Sequence, residues 1–354
     1  MTGEQILQGF AFATGMPRSG TSMLQMLLDS HPDLFFHYQP FYQFYSDVKK
    51  LYLAEQGFDF QLPLGDDHPE RTLERQGFAP WLEGRRFSPQ EEARLTAQAT
   101  QCRGGGAPEL ADHLISDQGG DFLSLMQRLH RGLARCKGRD KARIIGSKEV
   151  LCEDYLPHLL DRGVRCLLLV RDPRSVVASQ NYGRYMEWVG DRLPLLLIVR
   201  RWRQSVANWN LCAAHPLGLA LRYEDLVSTP EETLTRLADW LGVSPFPQGH
   251  AAKPLVKQAP GPSSSFGERT TGVAGRDREA WQDILSPQAV RFIEAATRTE
   301  MTKLGYAPSS PPSRNALSDF VEDLDRVRPS LLALYHYDAE RRQMELDRWD
   351  RTQP

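Results

Sequence analysis

The sequence predicts an α/β protein with a doubly wound parallel sheet of the P-loop type, flanked by helices. Two observations lead to this class. Short apolar runs typical of buried strands alternate with longer segments whose apolar residues recur at helical spacing. The first apolar run also ends in a glycine-containing loop that opens directly into a helical pattern, as in sheets whose strand ends bind phosphate groups.

Four segments are predicted as strands of this sheet, at residues 10–15, 143–148, 166–172 and 217–226. The third, CLLLVRD, is a continuous apolar run, which is typical of a strand that is buried on both faces. Helical patterns lie between the strands, at residues 21–30, 175–184, 193–214 and 231–241. This alternation of strands and helices favours parallel pairing, because each crossover helix returns the chain to the same edge of the sheet.

The domain organisation is predicted from the length of the chain and from where the alternation of strand and helix patterns is interrupted. The 354 residues are 41% hydrophobic and 25% charged, as in a globular protein with a sizeable core. Residues 1–310 are predicted as the main domain, with a mostly helical insertion at about residues 40–140. Residues 311–354 are predicted as a helical tail, which either caps the core or joins two copies of the chain.

Charge and cysteine content narrow the function classes. The formal net charge is −2, so no overall basic field indicates a nucleic-acid partner. The five cysteines are scattered without a C-x-x-C pair, which argues against a disulfide framework or a zinc site and favours a reducing compartment. Neither a signal peptide nor a membrane span is predicted. A cytoplasmic protein is expected, and a truncated secretory-pathway protein is the alternative.

The loop after the first strand is the first candidate functional site. Its sequence, ATGMPRSGTSM, nearly matches the G-x-x-x-x-G-K-[ST] pattern of a phosphate-binding loop. The backbone N–H groups from Gly20 onward and the hydroxyls of Ser19, Thr21 and Ser22 would bind an anion at the helix N-terminus. Arg18 adds a fork-shaped cation that can hold two phosphate oxygens. Thr21 replaces the lysine of the pattern, which argues against phosphoryl transfer.

The segment RDPRSVVAS, at the end of the third predicted strand, is the second candidate site. Arg171 closes the strand, and Ser179 follows eight residues later on the next helix. A cation and a hydroxyl in these positions can converge on a second phosphate group. Two such sites on neighbouring strand ends indicate a nucleotide with two separate phosphate groups. A tight glycine turn, a helix cap and surface arginines are the structural alternative.

Four motifs, in order, resemble those of sulfotransferases that use PAPS (3′-phosphoadenosine 5′-phosphosulfate). PRSGTS resembles the family's 5′-phosphosulfate loop, and RDPRSVVAS resembles its 3′-phosphate motif. RYEDLVSTP and the C-terminal stretch from Trp281 to LGY are similar to two later signatures. The similarity covers most of residues 9–306 and is strongest to the branch with PRSGT loops, which includes tyrosylprotein and many bacterial sulfotransferases. It implies PAPS as co-substrate, PAP as product and no metal, so the loop needs no Walker lysine.

The resemblance also implies roles for single residues. Arg18 would cover the 5′-phosphosulfate and stabilise charge as the S–O bond to PAP breaks. Lys148, in GSKEV, matches a lysine that stabilises the bridging oxygen or the sulfuryl group. Tyr223 is similar to a tyrosine near the adenine. Arg276 and Ser265 are similar to residues that contact the nucleotide in relatives.

The catalytic base is where the sequence departs from the family pattern. Transfer to an alcohol usually needs a group that accepts the hydroxyl proton. The position of one usual base, a glutamate, carries Gln39, and the position of the other, a histidine, carries Val150. His37 and Glu149 are the remaining candidates, and an imidazole has a suitable pKa. Either residue can equally be structural.

The aromatic stretch FFHYQPFYQFY, at residues 35–45, is predicted to form either core or an acceptor pocket. The expected partner is a small hydroxylated acceptor with an apolar or aromatic face, such as a natural product, a glycan or a lipid. Two other functions stay open. One is a P-loop kinase for a small metabolite, and the other is a degenerate sulfotransferase that binds PAP without turnover.

Overall fold

The computed structural model describes most residues of the chain. They are 9–57, 72–97, 99, 107–114, 119–183, 186, 189–256, 269–273 and 280–352. Ser265 and Arg276, two of the predicted nucleotide contacts, lie outside the described residues.

A five-stranded parallel sheet lies at the centre of the fold, in the order β2-β5-β1-β6-β7. The short pairs β3–β4 and β8–β9 are antiparallel. The strands are β1 (Phe10–Thr14), β2 (Leu34–Tyr38), β3 (Arg86–Phe87), β4 (Gly120–Asp121), β5 (Ile144–Lys148), β6 (Arg165–Val170), β7 (Gly218–Arg222), β8 (Pro254–Val256) and β9 (Arg269–Thr271).

Helices cover both faces of the sheet. They are α1 (Thr21–Asp29), α2 (Tyr42–Glu55), α3 (Thr72–Gly84), α4 (Pro89–Thr96), α5 (Phe122–Cys136), α6 (Leu156–Asp161), α7 (Pro173–Asn181), α8 (Leu195–Ala207), α9 (Trp209–Ala214), α10 (Tyr223–Ser228), α11 (Pro230–Leu241), α12 (Trp281–Ile284), α13 (Pro287–Lys303), α14 (Asn315–Ser318), α15 (Pro329–Tyr335) and α16 (Ala339–Thr352). Within the described ranges, none of them has the length and apolarity that a bilayer crossing requires.

The parallel sheet and its two helical layers confirm the predicted α/β class. Alternate residues of β1 enter different apolar clusters: Phe10 and Phe12 belong to one, Ala11 and Ala13 to the other. A strand that is apolar on both sides is expected only where helices cover both faces. The sheet therefore has an apolar core on each of its two faces, as expected for a doubly wound sheet.

The sequence analysis did not predict strand β2, and it extended the last predicted strand beyond its end. β2 lies inside the aromatic stretch, whose dense aromatic residues gave no clear strand period, yet four of its five residues are buried. The predicted strand at residues 217–226 ends at Arg222, where α10 begins. The other three predicted strands are present as β1, β5 and β6.

The strand order determines which segments meet at the carboxyl edge of the sheet. From β1 the chain passes to β2 and β5 on one side, and it then crosses over β1 to β6 and β7 on the other. The carboxyl ends of β1 and β6 therefore form a topological switch point, where open α/β sheets usually bind ligands. The loop after β1 and the segment after β6 lie next to each other at this crevice.

The tail packs against the main domain. The Glu345 carboxylate on α16 lies 2.6 Å from Arg203 Nη1 and 3.2 Å from Arg200 Nε, both on α8. The tail predicted as helical at residues 311–354 is helical only in part: residues 319–328 are not helical, and Val321 and Leu324 within them are exposed. The contacts of α16 support the capping alternative, and a role in joining two copies stays a prediction.

Candidate active site

The loop between β1 and α1 is a tight turn whose shape depends on glycine. Ser19 N–H donates to the Met16 carbonyl at 3.2 Å, and Gly20 caps α1 with a φ of +90°. A Cβ at Gly20 would lie 2.3 Å from Tyr223 Cδ2. The loop thus packs directly against the start of α10, and any larger residue at this position would separate them.

Arg18 connects the loop to the helix that follows β6. Its backbone has a φ of 75°, which is uncommon for a residue with a side chain. Its guanidinium donates from Nε and Nη2 to Ser179 Oγ, at 3.1 and 2.8 Å. The two motifs that the sequence assigned to separate phosphate groups are therefore in direct contact.

Arg171 lies on the other side of the same loop. Its Nη1 donates to the Arg18 carbonyl at 3.2 Å, and its guanidinium lies over the Tyr223 ring, 4.4 Å from the centroid. Its own carbonyl accepts a hydrogen bond from Trp202 Nε1 at 2.7 Å. Sequence reasoning missed Trp202, which has no local signal beyond its place in the helical pattern of α8.

A second cation reaches the loop from the neighbouring strand. Lys148, at the end of β5, is buried, and its Nζ donates to Ser22 Oγ at 3.5 Å. The same Nζ lies 3.9 Å from the centroid of the Tyr38 ring, the residue paired with Lys148 across β2 and β5. The loop has Thr21 in place of the P-loop lysine, and Lys148 of β5 instead brings a cation to the first turn of α1.

Two buried polar atoms in this cluster have no hydrogen-bond partner among the described residues. They are Ser19 Oγ and Arg171 Nε. Buried polar groups are normally paired, so an unpaired donor beside a helix N-terminus indicates a site for an acceptor. A hydroxyl and a guanidinium N–H are both donors to oxyanions. The residues present therefore fit a ligand that carries anionic oxygens.

The two candidate bases are not brought together with Lys148. His37 pairs with Ser147 across β2 and β5, so its side chain lies on the sheet face opposite that of Lys148. Burial, and then the charge of Lys137, lower the pKa of His37 to about 4. Glu149 is fully buried and accepts a hydrogen bond from Phe41 N–H at 3.0 Å, at the start of α2.

The aromatic stretch around β2 contributes mainly to the core. Five of its aromatic residues are buried, namely Phe35, Phe36, Phe41, Phe44 and Tyr45. Gln39 is also buried, and its backbone N–H donates to the Lys148 carbonyl at 2.8 Å. Tyr38 and Tyr42 are only half-buried. Tyr38 is thus the aromatic residue of this stretch that lies beside Lys148 and still reaches the surface.

The Glu224 carboxylate connects the segment after β6 with the C-terminal LGY segment by hydrogen bonds. Its carboxylate accepts from Asp172 N–H at 3.1 Å and from the Tyr306 hydroxyl at 2.8 Å. Burial raises the pKa of Glu224, and these hydrogen bonds oppose that effect. The motifs RDPRSVVAS, RYEDL and LGY therefore meet at one carboxylate, which holds the segment after β6 in place.

Several known proteins are similar to this chain. The chain is 25% identical to rat (Rattus norvegicus) carbohydrate sulfotransferase 1 over 89% of its own length and 83% of the relative's, and 24% identical to the mouse (Mus musculus) protein over the same shares. Two solved sulfotransferase domains, one from the curacin biosynthetic pathway and one from the Synechococcus PCC 7002 olefin synthase, are 20% and 21% identical, with TM-scores of 0.46 and 0.43. Each aligns with 84% of this chain, and the alignments span 98% and 94% of those domains. The sulfotransferase family model matches residues 11–248, well over half of the 354 residues, and the protein therefore belongs to the sulfotransferase family.

Proposed function

We propose that this sulfotransferase transfers a sulfuryl group from PAPS to a hydroxyl group of a small-molecule acceptor and releases PAP together with the hydroxyl proton. The observation that carries the proposal is the convergence of Arg18, Ser179 and Arg171 at the carboxyl ends of β1 and β6. Such a cluster, next to a helix N-terminus, suits a nucleotide with two phosphate groups. Use of PAPS as donor is what the family resemblance implies.

The loop and the residues after β6 bind the nucleotide. The backbone N–H groups around Gly20, together with Ser19 Oγ, hold the 5′-phosphosulfate end. Arg171 and Ser179 hold the 3′-phosphate, and the contact of Arg171 with Tyr223 orients its guanidinium. PAPS supplies an activated sulfuryl group attached through an S–O bond. The protein's contribution is to orient that group and to exclude water from it.

Lys148 and Arg18 stabilise the charge that develops during transfer. Negative charge accumulates on the leaving oxygen as the S–O bond breaks, and preorganised cations lower the energy of that state. Lys148 is only 1% exposed, so its interaction with this charge is poorly screened by solvent. Because its Nζ already lies near Ser22 and Tyr38, little reorganisation is needed.

The acceptor would enter beside Tyr38. The ring of Tyr38 is half-buried and offers an apolar face next to Lys148, of the kind on which a sugar or an aromatic ring packs. The curated relatives are named as carbohydrate sulfotransferases. Glycans therefore come first in an acceptor panel, followed by lipids and hydroxylated natural products.

The contacts of Asp172 argue against the kinase alternative. This residue stands where a Walker B aspartate would bind Mg²⁺. Its Oδ1 accepts from the backbone N and the Nε of Arg174 at 2.8 and 3.0 Å, and its Oδ2 accepts from Arg174 Nη2 at 2.7 Å. Asp172 thus caps α7 and neutralises Arg174.

The test is thermal unfolding with PAP, with PAPS, and with ATP plus Mg²⁺, followed by transfer assays over the acceptor panel. PAP at 100 times its Kd should stabilise the fold by about 2.7 kcal/mol. Arg171→Ala should abolish the shift, and Arg236→Ala, at an exposed position on α11, should leave it unchanged. A shift with ATP plus Mg²⁺ but none with PAP would refute the proposal. PAP binding without turnover on any acceptor would favour the degenerate module.

A further inference from the structure

A pocket lies at the end of the sheet opposite the proposed nucleotide site. It has a volume of about 270 Å³ and opens at the amino ends of β1 and β5. Phe10 and Ile145 form part of its wall, and the charged side chains around it are Arg131, Arg135, Arg143 and Asp140. The proposed nucleotide site lies at the carboxyl ends of β1 and β6, and the five residues of β1 put about 17 Å of strand between the two sites.

The segment that builds this pocket is strongly basic in a chain whose net charge is −2. Between residues 131 and 143 there are six cationic residues and one acidic residue, Asp140. The cations are Arg131, Arg135, Lys137, Arg139, Lys141 and Arg143. The excess positive charge of the segment is therefore concentrated around the amino edge of β5.

The charges of the pocket's three arginines are only partly balanced by acidic side chains. Asp140 lines the pocket, and hydrogen bonds from Ser244, followed by the charges of His31 and Arg143, lower the pKa of Asp33. In the described parts of the chain, no salt bridge joins Arg131, Arg135 or Arg143 to an acidic side chain. Arg131 and Arg135 are four residues apart on α5, and like charges at this spacing repel and destabilise a helix. The charge of Arg143 also extends to Arg165 at the start of β6, whose pKa is lowered first by burial and then by Arg143.

The pocket is preorganised on one side. The Arg131 guanidinium lies over the Phe10 ring, 5.4 Å from its centroid, so the side chain is held against the start of β1. Arg143 lies immediately before β5, next to a residue of the central sheet. A guanidinium that is already held, as that of Arg131 is, loses less freedom when it binds, and the planar fork of arginine matches oxyanions.

We propose that this pocket binds a phosphate or sulfate group, either as the free ion or as an ester. A concave site lined by three arginines and one acid favours a compact dianion that two guanidiniums can bind in bidentate fashion. Binding would relieve the repulsion between Arg131 and Arg135. The site is separate from the nucleotide site, and its occupancy does not depend on PAPS being the sulfuryl donor.

The test is a binding titration with inorganic phosphate, sulfate and glycerol phosphate at constant ionic strength, with and without saturating PAP. We expect the double variant R131Q/R135Q to bind phosphate at least about tenfold more weakly. This factor corresponds to the loss of one charge-assisted hydrogen bond. Arg236→Gln is the matched control, because Arg236 is exposed on α11. Saturating PAP should not displace the phosphate. A preference for glycerol phosphate over the free ions would identify an ester as the ligand.

Two results would overturn the proposal. One is phosphate binding that PAP abolishes and that the double variant retains, because the ion would then occupy the nucleotide loop. The other is the absence of any phosphate or sulfate effect beyond that of chloride. Arg143→Gln, which changes an exposed residue just outside β5, is the second variant if R131Q/R135Q fails to fold, and it should also weaken binding.

Discussion

Gly20→Ala tests whether the loop's contact with Tyr223 shapes the site. Gly20 has a φ of +90°, where a residue with a Cβ costs about 1–2 kcal/mol. The added Cβ would lie 2.3 Å from Tyr223 Cδ2, and ordinary contact begins at 3.4 Å, so the ring must retreat by 3.4 − 2.3 = 1.1 Å. Because Tyr223 is buried, this overpacking adds about 1–3 kcal/mol. We expect a total loss of about 2–5 kcal/mol in the free energy of unfolding.

Gly163→Ala is the matched control. Gly163 has a φ of +83°, and no described atom lies within 4 Å of a Cβ built there. It therefore carries the backbone cost of about 1–2 kcal/mol without the clash. Urea unfolding of both variants separates the two contributions.

Nucleotide affinity is the second readout of this pair. Displacement of Tyr223 removes the ring from Arg171, a contact worth about 0.5–1 kcal/mol, and it shifts the guanidinium proposed to bind the 3′-phosphate. Gly20→Ala should therefore weaken PAP binding at least several-fold, and Gly163→Ala should not. Equal unfolding free energies for the two variants, with unchanged PAP affinity in both, would refute this account of the loop.

Three further changes test other parts of the structure. Trp202→Phe removes the donor to the Arg171 carbonyl and should cost about 1–3 kcal/mol of stability and weaken PAP binding, measured by urea unfolding and calorimetry. Burial raises the pKa of Glu322 to about 7, so its contribution to stability is lost as pH rises from about 4.5 through 7. Glu322→Gln should thus match the wild type at pH 5 and be more stable by about 1–3 kcal/mol at pH 8, and the same difference at both pH values would contradict the assignment. His37→Asn should leave turnover within about twofold, because this ring faces away from Lys148, and a loss of a hundredfold or more would restore His37 as the base.

Much of the sheet and the outline of the site could be predicted from local sequence. β1 and β6 are short, largely apolar runs, and such runs indicate buried strands, whereas β5 begins with two isoleucines and continues into Gly146, Ser147 and Lys148. The loop could also be located, because a glycine turn between a strand and a helix creates an anion site from backbone groups alone. Arg18 and Arg171 were identified as candidate cations because each lies beside a strand end.

The tertiary structure decided which residues far apart in the chain come into contact. Arg18 and Ser179 are 161 positions apart, and their hydrogen bond exists because the strand order puts β1 next to β6. Lys148 reaches Ser22 for the same reason, since β5 is the other neighbour of β1. The face on which His37 lies depends on the register between β2 and β5, and a shift of one residue would reverse it. Local sequence therefore determined which groups can bind an anion, and strand order and register determined which of them meet.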